Sequence, residues 1–275
     1  MTWVIAGRHL FCARCLADVQ VTLSFKNRPP VYIDAIQKVH IIGPDLVVAF
    51  ADSVRLGFYI VEKLKTDFYP KLDPRLRTHS RLVLQHIAKY LKYIVGNYNS
   101  LSAKQIPGYV PERVELMILY QPKIIVDIKS TPPDEFPNTE VWKMEIPSFK
   151  AWEPEVAFQL LELGSGAVAH DYRDIVARHE KGVYEIPGEN GEKPTAVIPV
   201  GKIALQWLFA EAAEFQNAGI SRAMHIVLLS LTGVILRNLP APPDPQFPAV
   251  VDNWKDFKKL VNGLGYRLAD FTATA

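Results

Sequence analysis

The sequence predicts an α+β fold in which two packed antiparallel sheets are covered by helices on both outer faces, a four-layer αββα sandwich. Three observations support this prediction. Short apolar segments typical of strands occur in two sets, and each set is followed by a pair of segments with apolar residues at helical spacing. Glycine or proline lies close to most of the short segments, as at the turns of antiparallel sheets. The 275 residues, 49% of them hydrophobic, are enough to bury a large core.

The first set of predicted strands fills the N-terminal part of the chain. Two of them form a hairpin, a proline-containing turn leads into the third, and a Gly-Pro-Asp turn leads into the fourth. From Asp52 the apolar residues recur at helical spacing, with Asp52 or Ser53 as the N-cap, and a second amphipathic helix follows over 84–98. The predicted strands are 2–7, 11–23, 31–42 and 46–51.

The second set of predicted strands begins after Gly108 and Pro111. Four strands end in Gly164-Ser165-Gly166, beyond which two helices are predicted, the second stopping at Gly219. A hairpin, a proline-rich segment and a terminal helix complete the chain. The predicted strands are 114–119, 123–128, 140–146, 156–163, 225–229 and 233–236, and the predicted helices are 171–179, 203–215 and 252–262.

The chain shows no repeat of fixed period and no segment that clearly separates two domains. We therefore expect one domain over residues 1–238, with an inserted loop near 181–199 that is rich in glycine and proline. Residues 239–275 are expected to form a proline-rich connection and a C-terminal helix that packs on the same domain.

The composition excludes several classes of partner. The formal charge is only +2 and no long run of Lys or Arg occurs, so we expect no nucleic-acid partner. No apolar run reaches the roughly 20 residues of a membrane span and no signal-peptide pattern occurs, so we expect no membrane partner and a cytoplasmic location. Cys12 and Cys15 lack the further ligands of a zinc site, so we expect packed thiols, no metal and no cofactor.

The chemistry points to the N-terminus. Thr2 follows the initiator methionine, and removal of Met1 would place a hydroxyl nucleophile and a free amine on one residue. An α-amino group has an ordinary pKa of about 8, roughly two units below that of lysine, so near pH 7 it can accept the hydroxyl proton. Such a site also needs a nearby cation, a carboxylate that holds the cation, and backbone N–H donors for the oxyanion.

Five segments of the sequence match the pattern of a known family. Four lie near the N-terminus and one lies later in the chain: Met1–Ile5, Ala17–Leu23, Ile36–Val39, Val47–Asp52 and Gly164-Ser165-Gly166. Together they resemble the proteasome β-subunit and HslV-like group of N-terminal nucleophile hydrolases. Asp18 lies sixteen residues after Thr2, which is the separation in that family. Lys38 comes slightly later than the family's lysine, and the extra residues fit into the turn at 27–30. The resemblance covers about the first 70 residues, and beyond them it is architectural.

The resemblance implies a role for five residues. Thr2 would be the nucleophile and its amine the general base. Lys38 would be the cation that lowers the pKa values of the site, and Asp18 would be its carboxylate partner. The backbone N–H of Ala49 would stabilise the oxyanion, and Ser165 would hold the amine through hydrogen bonds.

Two positions depart from the family pattern. Ala49 stands where the family usually has glycine, which keeps the N–H but adds a methyl group. The stretch 217–223 lacks the Asp that the family carries before its Ser and Gly, and Ser221 would substitute for it in part.

The function that the resemblance implies is that of a threonine amidohydrolase or peptidase. It would act on peptide or protein substrates by acyl transfer to Thr2 and then to water, and it would self-associate, as in the rings of the family. The alternative is a catalytically silent subunit with a structural or regulatory role, for which the 181–199 loop and the proline-rich 239–248 segment would add contact surface. A small-amide hydrolase with the same nucleophile is a third reading.

The remaining conspicuous side chains are expected to be structural. His170, His179 and His225 lie on different predicted elements and are expected at the surface or half-buried. The tryptophans are expected to anchor the core or an interface.

Overall fold

The computed structural model describes residues 3–9, 12–123, 139–154, 159–164, 173–177, 183–185, 195–197, 220–240 and 246–274. Its strands are β1 (Val4–His9), β2 (Cys12–Asp18), β3 (Gln20–Phe25), β4 (Val31–Asp34), β5 (Val39–Gly43), β6 (Leu46–Asp52), β7 (Val114–Tyr120), β8 (Glu140–Ile146), β9 (Lys150–Trp152), β10 (Leu160–Leu163), β11 (Val183–Glu185), β12 (Thr195–Val197), β13 (Met224–Ser230), β14 (Gly233–Leu239) and β15 (Phe271–Thr274). Its longer helices are α1 (Val54–Lys63), α2 (Ser80–Gln105) and α3 (Trp254–Gly263).

The described strands form three larger antiparallel sheets and one two-stranded pair. The first sheet has the order β10-β1-β2-β13-β14, and the second has the order β5-β6-β7-β8-β9. A third sheet has the order β15-β3-β4, and β11 pairs with β12. Among the described residues, helices are few beside this amount of strand, so the described fold is mostly β.

The predicted four-layer sandwich of two sheets flanked by helices is therefore wrong. The residues predicted as one long strand over 11–23 divide at Val19, so that β2 belongs to the first sheet and β3 to a separate one. The C-terminal residues, for which no strand was predicted, supply β15, which pairs with β3 from Phe271↔Phe25 to Thr274↔Thr22. An apolar pattern marks residues that prefer an extended conformation, but it does not specify which strands pair.

Several predicted elements agree with the structure in position. The terminal helix predicted over 252–262 corresponds to α3, and the hairpin predicted at 225–236 corresponds to β13 and β14. The first predicted helix begins with Ser53 as its N-cap, because the Ser53 side chain accepts a hydrogen bond from the Leu56 N–H. Of the predicted helix at 171–179, residues 173–177 are described and helical. The predicted helix 203–215 and the strand segment 124–128 lie outside the described residues.

The second sheet is buried on both faces because successive side chains of a strand point in opposite directions. Leu46, Val48 and Phe50 of β6 pack with α1 and α2 in the largest apolar cluster. Val47 and Ala49, which alternate with them, pack against apolar residues of β1 and β2 in a cluster between the two five-stranded sheets. This alternation stacks the two sheets and brings the start of β5 close to the end of β2.

The C-terminal part of the chain packs against this framework. Phe257 and Val261 of α3 join the same apolar cluster as α1 and α2. Val251 forms a parallel bridge with Ile36, its N–H donates to the Ala35 carbonyl, and its carbonyl accepts from the Gln37 N–H. These backbone contacts fix the position of the chain immediately before Lys38.

No described helix is both long and apolar enough to cross a lipid bilayer.

Helix α1 contacts β6 so closely that only glycine fits at one position. A Cβ on Gly57 would lie 2.4 Å from a ring atom of Phe50, whereas a Cβ on Gly96 of α2 would meet no atom within 4 Å. Gly57→Ala is therefore expected to lower the free energy of unfolding by about 1–2 kcal/mol, because overpacking outweighs the gain in helix propensity.

The control is Gly96→Ala at the exposed helical site. It is expected to raise the free energy of unfolding by about 0.5–1 kcal/mol, because alanine favours a helix there at no steric cost. Urea unfolding followed by circular dichroism measures both variants. A stabilised Gly57→Ala protein would contradict the packing described.

Candidate active site

A fully buried ion pair joins the end of β2 to the start of β5. The Lys38 Nζ lies 2.7 Å from the Asp18 Oδ1, and neither side chain is exposed to solvent. Removing two charges from water costs several kcal/mol for each ion, and this cost is recovered only when the pair is close and well hydrogen-bonded. The local structure should therefore supply further partners to these two groups.

Backbone N–H groups supply three such partners to Asp18. The Trp3 N–H donates to Oδ1 at 2.8 Å, and the N–H groups of Gln20 and Ser221 donate to Oδ2 at 3.1 and 3.4 Å. The Asp18 N–H in turn donates to the Trp3 carbonyl at 3.1 Å. With the Lys38 ammonium, these donors give both oxygens of the carboxylate hydrogen-bond partners.

The sheet pairings explain why these donors converge. Val4 of β1 pairs with Ala17 of β2, so Trp3 lies beside Asp18. Met224 of β13 pairs with Asp18 from the other side, so the turn before β13 approaches the same carboxylate. Because the chain leaves the first sheet after Asp18, the Gln20 N–H turns back toward the Asp18 side chain.

Lys38 is an ammonium in an apolar environment. Burial lowers the pKa of Lys38 below its ordinary value, and the carboxylates of Asp18 and Asp34 oppose this effect. Its backbone is fixed as well, because the Lys38 carbonyl accepts the Phe50 N–H at 3.1 Å. The side chain therefore approaches Asp18 from a rigid position.

The pair contacts the first described peptide group of the chain. Thr2 is outside the described residues, but the Trp3 N–H that contacts Asp18 belongs to the peptide group that joins Trp3 to Thr2. The structure thus brings together Asp18 and Lys38, and it places both at the first described peptide of the chain.

Ala49 is placed differently from Asp18 and Lys38. It lies in the middle of β6, paired with Val39 on one side and with Met117 on the other, and it is completely buried. Successive N–H groups of a strand point to opposite sides, and the Phe50 N–H points to Lys38. The Ala49 N–H is therefore directed toward β7, away from the strand that follows Lys38.

Ser165 lies outside the described residues, but the residue before it is held firmly. Gly164 has a φ of 79°, and its N–H donates to the Glu115 Oε2 at 2.8 Å. Although burial raises the pKa of Glu115, the Gly164 N–H, Lys143 and Arg113 together hold it below its ordinary value. The chain is therefore anchored at a charged group immediately before Ser165.

The Glu115 group connects back to Trp3. The Lys143 Nζ lies 3.3 Å from the Glu115 Oε1 and donates to the Glu162 carbonyl at 3.2 Å. The Glu162 side chain accepts the indole N–H of Trp3 at 2.9 Å. The second sheet therefore supports the N-terminal strand through polar contacts as well as through the apolar cluster.

Two residues of the site were missed by the sequence reasoning or only partly identified. Ser221 lies in a stretch that differs from the family pattern, and Asp34 had no predicted role. The Ser221 hydroxyl donates to the Asp34 Oδ2 at 2.7 Å, and the Gln20 side-chain amide donates to the Asp34 Oδ1 at 3.2 Å. The only signal for Asp34 was an acidic residue at a strand end, which is common and does not identify a partner 187 residues away.

His225 was expected at the surface or half-buried, and the structure corrects this. It is 1% exposed, and its ring contacts the Phe247 ring with centroids 5.0 Å apart. Burial, with a contribution from Lys38, lowers the pKa of His225 to about 4. His170 and His179 lie outside the described residues.

His40 is a second buried histidine close to Lys38 in sequence. It stacks on Phe50 and meets the edge of Phe58, and neither ring nitrogen makes a well-formed hydrogen bond within the described residues. Burial, assisted by Lys65, lowers the pKa of His40 to about 3, while Asp252 opposes this shift and His225 adds to it. Both histidines are therefore neutral in the folded protein at pH 7.

The two cysteines are not paired with each other. Cys15 is buried and Cys12 is partly buried. Burial raises the pKa of the Cys15 thiol to about 12, so it is not a thiolate nucleophile. Within the described ranges, no group of three His, Cys, Asp or Glu side chains is arranged to hold a metal ion.

A scan of the chain against protein-family models finds no match. A search of curated proteins likewise finds no match. The functional inference therefore depends on the residues of the site and on their geometry.

The buried histidines predict acid lability. In the unfolded chain each histidine takes up a proton near its ordinary pKa of about 6.5, whereas in the folded protein it stays neutral down to about pH 4 or below. Between these values the free energy of unfolding should fall with decreasing pH by about 1.4 kcal/mol per pH unit for each histidine.

Chemical denaturation at a series of pH values measures this slope. The His40→Phe variant keeps the aromatic contacts. Between pH 6.5 and 4, the slope of its unfolding free energy against pH should be smaller than that of the wild type by about 1.4 kcal/mol per pH unit. His86 is exposed on α2, so His86→Gln should leave the slope unchanged. An unchanged slope in the His40→Phe protein would contradict the assignment.

Proposed function

We propose that this protein is an amidohydrolase whose nucleophile is Thr2, exposed by removal of Met1. The observation that carries this proposal is the buried Asp18–Lys38 pair, held at 2.7 Å and hydrogen-bonded to the peptide that follows Thr2. A charged pair in this position is costly to maintain, and a structural role alone could be filled by apolar residues. A cation beside an N-terminal hydroxyl and amine has a direct use in catalysis.

The chemistry of the proposed reaction is acyl transfer. The Thr2 Oγ attacks the carbonyl carbon of a peptide bond, and the hydroxyl proton passes to the α-amino group. Collapse of the tetrahedral intermediate breaks the C–N bond, and the proton moves to the departing amine. Water then attacks the Thr2 ester, which regenerates the hydroxyl and releases the carboxylic acid. The positive charge of Lys38 favours the deprotonated forms of the hydroxyl and the amine.

Asp18 has a supporting role in this reaction. It holds the Lys38 ammonium through Oδ1 and fixes the Trp3 peptide through the same atom. The position of the cation and the path of the N-terminal strand are thereby determined by one carboxylate. In the proposed reaction this carboxylate would keep the distance and orientation between the nucleophile and the cation constant. Catalysis by positioning requires such a fixed geometry.

The substrates that fit this chemistry are peptide bonds or simpler amides in the cytoplasm. Self-association, including a ring, would be the arrangement that limits access of folded proteins to such a nucleophile. Both points belong to the proposal and are supported by the sequence resemblance.

One observation favours a second candidate function, a subunit without catalytic activity. The Ala49 N–H, which the resemblance assigns to the oxyanion, is directed toward β7 within a regular ladder. A catalytic protein would need another donor for the oxyanion. In a silent subunit the Asp18–Lys38 pair would serve only to fix the strand positions.

Variants of Thr2 separate these two functions. Thr2→Ala should lower the hydrolysis of fluorogenic peptide amides by at least about 10³-fold, because the attacking oxygen is lost, and Thr2→Ser should retain part of the activity. Thr66→Ala removes an exposed threonine hydroxyl elsewhere and should have no effect.

Intact mass spectrometry of the purified protein provides the accompanying control. It should show the loss of Met1, because a retained methionine blocks the amine. Hydrolysis that persists in the Thr2→Ala protein would refute the assignment of Thr2 as the nucleophile. A wild-type protein that hydrolyses no amide, or that keeps Met1, would favour the silent subunit.

A further inference from the structure

We propose that Asp34 is a positioning residue of this site, which orients the Asp18 carboxylate through Ser221 and Gln20 and contributes a second negative charge to the electrostatic field at Lys38. This inference rests on the proposed function of Thr2 and extends it. Asp34 is not among the residues that the sequence resemblance implies.

The first step is the hydrogen-bond geometry. Asp34 accepts the Ser221 hydroxyl through Oδ2 at 2.7 Å and the Gln20 amide through Oδ1 at 3.2 Å. The backbone N–H groups of the same two residues are the donors to the Asp18 Oδ2. Asp34 therefore holds the two residues whose N–H groups contact the Asp18 Oδ2, while the third donor, the Trp3 N–H, contacts Oδ1.

Ser221 is suited to this bridge because its hydroxyl is fully used. It donates to Asp34 and accepts the Ala223 N–H at 2.9 Å, which fixes the turn that enters β13. Ser221 is 3% exposed, so solvent does not compete for these bonds. Because the Ser221 hydroxyl is bonded to Asp34, the position of Asp34 determines where the Ser221 N–H points.

The second step is the charge around Lys38. Two carboxylates on different strands act on it, Asp18 on β2 and Asp34 on β4, and Lys38 in turn acts on the ring of His225 on β13. His225 is neutral at pH 7, so the two carboxylates supply the compensating charge. One carboxylate would balance one ammonium, and the second favours the charged form of Lys38.

The Asp34→Asn variant tests the proposal. It keeps an oxygen that can accept the Ser221 hydroxyl but removes the negative charge. In protein labelled with ¹³C at the lysine ε-carbon, the Lys38 signal, identified by its absence in Lys38→Met, should titrate at a lower pKa than in the wild type. The kcat for peptide amides should fall by about 10- to 100-fold with KM little changed, because the Gln20 amide loses its acceptor while the Ser221 bridge remains, so the site is disoriented and not emptied.

The matched control is Asp73→Asn. The Asp73 side chain is exposed and accepts the nearby Arg75 N–H at the start of a short 3₁₀ turn, so both the Lys38 titration and the kcat should stay at wild-type values. A folded Asp34→Asn protein with wild-type titration of Lys38 and wild-type kcat would overturn the proposal.

Two further measurements keep the test decisive. If Asp34→Asn does not fold, Ser221→Ala keeps the charge and removes the bridge, and it should lower kcat with KM little changed. A wild-type kcat in that variant would count against the positioning role. If the protein hydrolyses no amide at all, the proposed function fails, but the Lys38 titration in Asp34→Asn still confirms or refutes the electrostatic action of Asp34.

Discussion

The buried ion pair between Asp18 and Lys38 constrains the structure around it. Each charge alone would be several kcal/mol too costly inside the protein, so the pair requires a short separation, rigid backbones and additional donors. The Trp3, Gln20 and Ser221 N–H groups meet that requirement at Asp18, and the Phe50 N–H fixes the backbone of Lys38. These contacts come from the first sheet, the second sheet, and the segments that connect them to the third.

The third sheet determines the surroundings of Asp18. Because the chain turns away from the first sheet after Asp18, the Gln20 N–H is free to donate to the Asp18 side chain, and Gln20 pairs with Asp34 across β3 and β4. A single long strand would have used the Gln20 N–H in a ladder of the first sheet. The separation of β3 from β2 makes the predicted two-sheet arrangement wrong. It also leaves the Gln20 N–H available as a hydrogen-bond donor to Asp18.

Part of this arrangement could be predicted from the sequence, and the reasons are local. The family resemblance implied that Asp18 and Lys38 are a carboxylate and its cation partner, and the structure places these two groups 2.7 Å apart. The helix cap at Ser53 and the terminal helix followed from side-chain hydrogen bonding and apolar period. Asp34 and Ser221 could not be linked, because their contact joins residues 187 positions apart and depends on strand pairing. The Ala49 N–H could not be oriented, because its direction depends on the register of β6 with β5.

The reaction of the N-terminal residue with a peptide epoxyketone tests the central claim most directly, since the adduct needs both a free α-amine and an adjacent hydroxyl. Peptide mapping by mass spectrometry should find one adduct, on Thr2, in the wild-type protein. The adduct should form much more slowly in the Lys38→Met variant, because the cation that we propose activates the hydroxyl is missing. An unmodified Thr2 in the wild-type protein, or equal rates of modification with and without Lys38, would contradict the assignment of this buried pair to a catalytic site.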